Sequence, residues 1–295
     1  MRRIKMFIFI VSLAACMALC PLLAHAADLA GGSQNANGTS ISGEITASGK
    51  AAKKKVVYVL SSITASNLTG DYTHTKKFSY TKSGMVKKVK ETHKSKGQKA
   101  RKISTLSYTY DKSSNLVKLK DPYSTTTYMN NKKGQPLQCT TILKQASASK
   151  CVSKLKYRGG NAVRKTTTYY FRTSGNKLIK GGGGKSWYSY ANGRVTKIKD
   201  DSGDVYFIEY DDRGNILRWR DYCDGRLNYF DTYEYENEYD ADGNLVKRLD
   251  GDSFYTFKYR KIKVKASVAP KVARQQWAFK NRNLNFGTGE HESVV

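Results

Sequence analysis

The chain has 295 residues, a formal net charge of +28, 39% hydrophobic and 12% aromatic residues, and a pI near 9.8. A positive excess this large points to an anionic partner, and the share of large apolar and aromatic residues excludes a chain that stays unfolded throughout. Four prolines and five cysteines exclude a proline-rich fibre and a cysteine-dense miniature scaffold.

Met1 to Ala26 has the form of an export signal, with Arg2, Arg3 and Lys5 ahead of an apolar run from Met6 to Leu23 and small residues at Ala24 and Ala26. Cleavage between Ala26 and Ala27 is expected. Leu13-Ala14-Ala15-Cys16 is also compatible with a lipobox, in which Cys16 would carry lipid; the residues after Cys16 remain apolar, which favours simple cleavage. No later stretch is long or apolar enough to form a transmembrane helix. Residues 27–55 are rich in Gly, Ser, Asn, Ala and Thr and end in Lys53-Lys54-Lys55, the composition of a flexible tether.

From Val56 to Lys265 the chain alternates runs of Tyr, Val, Ile, Thr and Phe with Gly, Asn, Asp and Ser every ten residues or so, which predicts one β-domain over 56–265. Tyr239-Asp240-Ala241-Asp242-Gly243-Asn244-Leu245 is a hairpin in outline: an aromatic strand end, Asp240 opening a type I turn, and Gly243 supplying the positive φ. The same pattern returns at Tyr80 with Gly84, at Tyr110-Asp111, and at Tyr210-Asp211 with Gly214. Tyr190 precedes Asn192-Gly193, the pair that a two-residue type I′ hairpin needs. These copies start at intervals of 20 or 30 residues or multiples of them, room for two strands and two turns each, so an antiparallel meander is expected. Weaker copies lie between 128 and 180, where Tyr157 and Phe171 are too close for both to turn at the same end. Gly181 to Gly184 is expected to be a flexible connection.

Aromatic-Asp-x-x-Gly-Asn-Leu-Val-Lys, as at Tyr239 to Lys247 and Tyr210 to Arg218, resembles the YD repeat of the secreted Rhs and teneurin proteins, over about Phe78 to Leu249. The resemblance implies a β-ribbon with functions in carbohydrate binding, adhesion or toxin encapsulation. With few copies, no self-cleavage motif and no toxin-sized C-terminal domain, it implies an all-β open curved sheet or partial barrel rather than a shell.

The charge is uneven. Residues 51–190 carry about thirty Lys and Arg against Asp71, Glu91, Asp111 and Asp121, whereas 200–252 is rich in acids. Lys87-Lys88, Lys118-Leu119-Lys120 and Lys197-Ile198-Lys199 would align as basic stripes on one sheet face. The commonest use of such lysines is to solvate a sheet and guard its edges; the excess is larger than solubility requires, which leaves a polyanion surface as the second reading. Wall polymers, anionic head groups and extracellular DNA are all available to an exported protein, and no nucleic-acid motif accompanies the charge.

Cys139 and Cys151 flank a polar stretch where a hairpin turn would bring them within disulfide reach, leaving Cys223 as the odd thiol before Asp224-Gly225. Catalytic signals are thin. His74, His93 and His291 lie outside any nucleophile elbow or metal pair, and Asp200 to Asp204 and Asp240 to Asn244 lack the spaced Glu of a calcium loop, so no cofactor is expected. Residues 266–295 read either as a basic tail or as a short capping helix starting at Pro270, with Trp277 and Phe279 docked on the sheet. The expectation is therefore an exported, non-catalytic binding module for an anionic or glycan polymer of the cell envelope, with a structural or accessory role towards a secreted protein partner as the first alternative and a hydrolase as the second.

Overall fold

The computed structural model describes residues 53–144, 148–251 and 253–281. The export signal, its Ala26–Ala27 junction, the Cys16 alternative and most of the tether lie outside these residues. The chain runs up and down through β1 (Lys54–Asn67), β2 (Tyr72–Tyr80), β3 (Val86–Ser95), β4 (Arg101–Tyr110), β5 (Leu116–Lys120), β6 (Ser124–Asn130), β7 (Pro136–Leu143) and β8 (Ala148–Arg158). It continues through β9 (Asn161–Arg172), β10 (Leu178–Ala191), β11 (Arg194–Asp200), β12 (Val205–Tyr210), β13 (Ile216–Cys223), β14 (Arg226–Tyr239), β15 (Leu245–Asp250) and β16 (Ser253–Lys265), then α1 (Ala269–Lys280).

Each strand pairs antiparallel with its sequence neighbours, and β1 pairs with β16 from Lys54↔Lys265 to Asn67↔Ser253, so the sheet closes as a sixteen-stranded barrel. The expected antiparallel meander is present, but the open curved sheet is corrected: full closure leaves no unpaired edge. Strand β1 begins at Lys54, two residues ahead of the expected boundary. Gly181 to Gly184, expected to be a connection, lie inside β10. They are glycine for packing reasons, since a Cβ on Gly181 would meet the Phe171 ring at 1.8 Å and one on Gly183 the Thr167 carbonyl oxygen at 2.4 Å.

The tyrosine-ended turns gather at one rim. In the β14–β15 turn the Gly243 amide donates to the Asp240 carbonyl, Asp240 Oδ1 accepts the Asn244 amide at 2.8 Å, and Gly243 has φ 79°. The Asp211 and Asp111 turns repeat this, and at Asn192-Gly193 both residues have positive φ, as a type I′ turn requires. In all three turns the Asp accepts an amide four residues ahead, which fixes the loop before the next strand begins.

A second device recurs at this rim. Where the main-chain ladder between one hairpin and the next stops, the even-numbered strand reaches back with a side chain and donates to a carbonyl of its predecessor, at or near that strand's start except in β1, where Leu60 lies in mid-strand. Tyr80 bonds Leu60 O (2.5 Å), Tyr110 Val86 O (2.7 Å), Tyr157 Pro136 O (2.9 Å), Tyr190 Ala162 O (2.8 Å), Tyr210 Val195 O (2.8 Å) and Tyr259 Leu245 O (2.7 Å). Asn130 serves Leu116 O and Asn237 serves Ile216 O in the two remaining places. The strands can therefore splay without stranding buried carbonyls. Burial raises the pKa of Tyr80, Tyr110, Tyr157, Tyr210 and Tyr259, keeping these donating hydroxyls protonated.

The inner face holds the core. Phe78, Val89, Tyr108, Leu119 and Tyr128 form one continuous cluster with residues of β1 and β16, and Tyr188, Ile198, Ile208 and Trp219 form a second. Helix α1, with Pro270 in its first turn, lies across the turn-bearing rim from the β4–β5 turn to the β12–β13 turn. Its Phe279 ring packs edge-on against Phe78 (5.1 Å) and Tyr108 (5.9 Å). Gln276, Gln275 and Asn281 accept the amides of Leu60, Val86 and Ile216 at 2.7–2.8 Å, and the Trp277 indole donates to Gly214 O at 2.6 Å. The helix thus supplies the acceptors that the splayed strand starts lack.

Candidate interaction surface

Because side chains alternate between faces, fixing the inner residues fixes the outer ones. With Val89, Leu119, Ile198 and Trp219 inside, their flanking residues Lys88 and Lys90, Lys118 and Lys120, Lys197 and Lys199, and Arg218 and Arg220 point outward. The bulge beside each turn preserves this phase, so every copy of the repeat that has a cation two residues into its second strand presents it to solvent.

The register sets these cations side by side. Lys77 faces Lys90 directly across β2 and β3, and Lys88, Ser107 and Lys120 form an outer row over β3 to β5. Like charges placed opposite one another cost stability, so this arrangement is not what cross-strand pairing alone would choose. No outward carboxylate relieves them on β2–β9: of the acids there, Glu91 points inward to Lys76 (3.2 Å) and Ser104, and Asp71, Asp111 and Asp121 sit in turns. On β12–β15 the outer face is neutralised. Glu209 and Glu234 hold Arg218 at 2.9 and 2.6 Å, Glu209 also meets Arg220 at 3.1 Å, and Lys247 meets Glu238 at 2.6 Å.

The outer face is also unlike one that lipid would tolerate. A lysine held at the middle of a hydrocarbon layer costs about 2–4 kcal/mol, and here lysines recur along successive strands. Among the described residues no helix is long and apolar enough to cross a membrane.

The interior carries polar residues as well as the core. Arg248, 2% exposed, stands where Val89, Leu119, Ile198 and Trp219 stand in other copies, and this break in the apolar column was visible in the sequence. Its guanidinium lies 4.8 Å from the Tyr235 ring centroid and donates to Asn237 Oδ1, Asn281 Oδ1 and the Lys280 and Ile216 carbonyls, replacing water with fixed acceptors. The neighbouring Asp250 carboxyl is pushed up to about 6 by burial, against the opposing pull of Arg248 and a Tyr255 hydrogen bond. Burial beside Arg248 also lowers Lys280, to about 8.

Towards the other rim, His74 and His93 face each other across β2 and β3 with ring nitrogens 2.7 Å apart, and His93 meets Ser95 Oγ at 3.0 Å. Burial first and His93 second lower the His74 pKa. Among the described residues no group of three or more His, Cys, Asp or Glu could hold a metal ion. Cys139 stands opposite Ser153 and Cys151 opposite Thr141, so the two cysteines are buried on adjacent strands as diagonal neighbours. Cys223 is exposed beside the type I′ turn at Asp224-Gly225.

No family model and no curated protein matches the chain. Among solved structures it is similar to a porin-like protein from Bacteroides uniformis at 12% identity and a TM-score of 0.47, over 68% of this chain and 96% of that one. A likeness at that level carries no inference about function. The resemblance to YD repeats is corrected. No family model supports it, and the Tyr-Asp-x-x-Gly segments are the rim turns of a closed sixteen-stranded barrel with its own helix across one mouth.

Proposed function

We propose that this protein is an exported, non-catalytic module of the cell envelope or its surroundings that holds an anionic polymer on the outer face of its barrel. The observation that carries this is the contrast between two sectors of one surface: cations without outward carboxylates on β2–β9, and Arg218, Arg220 and Lys247 held by Glu209, Glu234 and Glu238 on β12–β15. A surface shaped for solubility alone would need neither the facing lysines nor the asymmetry. An export signal, as read at Met1 to Ala26, would bring such a surface among wall polymers and charged glycans.

The test is retention on an immobilised polyanion as a function of salt, comparing wild type with Lys88→Gln/Lys90→Gln/Lys118→Gln/Lys120→Gln and with a control, Lys247→Gln. Released counterions make the slope of log affinity against log salt count the contacts, so the quadruple variant should elute earlier and with a shallower slope while the control stays close to wild type. Equal loss in both, or none in either, would remove the proposal. Stoichiometric capture of a single protein with no salt-sensitive polymer retention would favour the accessory role instead.

A further inference from the structure

One outer row differs from the lysine rows. Strand register places Lys156, Arg164, Trp187, Lys199, Val205 and Tyr222 side by side across β8 to β13. Trp187, 40% exposed, has Arg164 on one side and Lys199 on the other, each one strand spacing away, so the cations are about 10 Å apart with an indole between them. In the adjoining row Phe207, 39% exposed, meets Tyr222 edge-on at 5.6 Å and lies under Lys197 at 5.2 Å. The other two tryptophans are committed inward, Trp219 to the core and Trp277 to Gly214 O.

An exposed indole between two cations suits a ligand with alternating flat apolar faces and negative groups. Pyranose rings bearing carboxylates have both: the ring C–H face stacks on the indole while the acid groups reach the flanking cations. We infer that the Arg164–Trp187–Lys199 row is a stacking site for an acidic glycan, a uronate-type polysaccharide. This rests on the polyanion reading above and narrows it, since an electrostatic surface alone would not discriminate between a carboxylated glycan and any other polyanion. A single-stranded nucleic acid would also stack, but a dedicated reader uses several aromatic platforms in line, and this row has one indole with its cations arranged around it.

The experiment measures binding of polygalacturonate, inorganic polyphosphate, poly(dT) and neutral dextran to wild type, Trp187→Ala and Trp187→Phe, with thermal unfolding as a check on the fold. Trp187→Ala is expected to bind polygalacturonate about tenfold more weakly, Trp187→Phe to recover part of that loss, and polyphosphate binding to change by less than about twofold. Dextran is expected not to bind. Polygalacturonate should also quench wild-type tryptophan emission, and much less in Trp187→Phe. Equal effects on polygalacturonate and polyphosphate, or none on either, would overturn the stacking site and leave the polyanion surface standing. A Trp187 dependence confined to poly(dT) would overturn the glycan class. Failure of all the polyanions to bind wild type would overturn both proposals together.

Discussion

The Tyr110 hydroxyl donates to the Val86 carbonyl at 2.7 Å and is itself met by the Gln275 side chain at 2.6 Å, so one phenol joins two neighbouring hairpins and the helix that crosses the rim. Its main-chain neighbour, the Val86 amide, is taken by the other end of the same glutamine. Removing the hydroxyl in Tyr110→Phe leaves a buried carbonyl and an amide donor unmatched, at a cost of about 1–3 kcal/mol in denaturant unfolding. Tyr157→Phe removes a bond to the strand alone and is expected to cost less. A reversed order would show that the tyrosine contributes packing and not the link to the helix.

The helix is held by polar groups that read strand ends. Asn281 accepts the Ile216 amide and donates to Asn215 Oδ1 and Trp277 O while receiving Arg248. Asn281→Ala is expected to destabilise the barrel by about 2–4 kcal/mol, and to expose Trp277 before global unfolding, read as a red shift of emission at low denaturant. A single transition with no early spectral change would mean that the helix and barrel unfold as one unit.

Two rim glycines separate backbone conformation from space. At Gly70 (φ 70°) an added Cβ meets nothing within 4 Å, so Gly70→Ala carries the conformational cost alone, about 1 kcal/mol. At Gly84 (φ 87°) the Cβ would also meet Val264 at 2.4 Å and approach Val272 of the helix. Gly84→Ala should therefore lower the unfolding midpoint more than Gly70→Ala. Equal shifts would show that the Val264 side chain yields without cost.

Asp250 gives a pH dependence with a fixed sign. Its folded pKa, about 6, lies above the ordinary value of 3.8, so the folded barrel holds the proton more tightly than the unfolded chain. That stability is present in full below pH 4 and is lost as pH rises through 6. Asp250→Asn keeps an acceptor for Tyr255 and removes the titration. It should match wild type near pH 4 and exceed it at pH 7.5 by an amount on the order of 2 kcal/mol, allowing for the group's partial exposure. A difference independent of pH would place its origin elsewhere.

Much of the architecture is written locally. The turns at Asp111, Asp211 and Asp240, the Asn192-Gly193 hairpin and the outward phase of Lys88, Lys118 and Lys197 all follow from residues within a few positions of each other. Closure does not: the pairing of Val57 with Ile262 joins strands about two hundred residues apart, and no local pattern distinguishes a sheet that curls shut from one that stays open. The Arg164–Trp187–Lys199 row is likewise invisible along the chain, because its members come from three strands and meet only through pairing.

The β1–β16 seam has a consequence for biogenesis. The first strand to emerge must wait for the last, because its partner follows the other fourteen, and until then the growing stack of hairpins ends in bare amides and carbonyls. The molecule therefore finishes folding late, in one zipping event, and a chain truncated anywhere before Lys265 would remain adhesive rather than simply shorter.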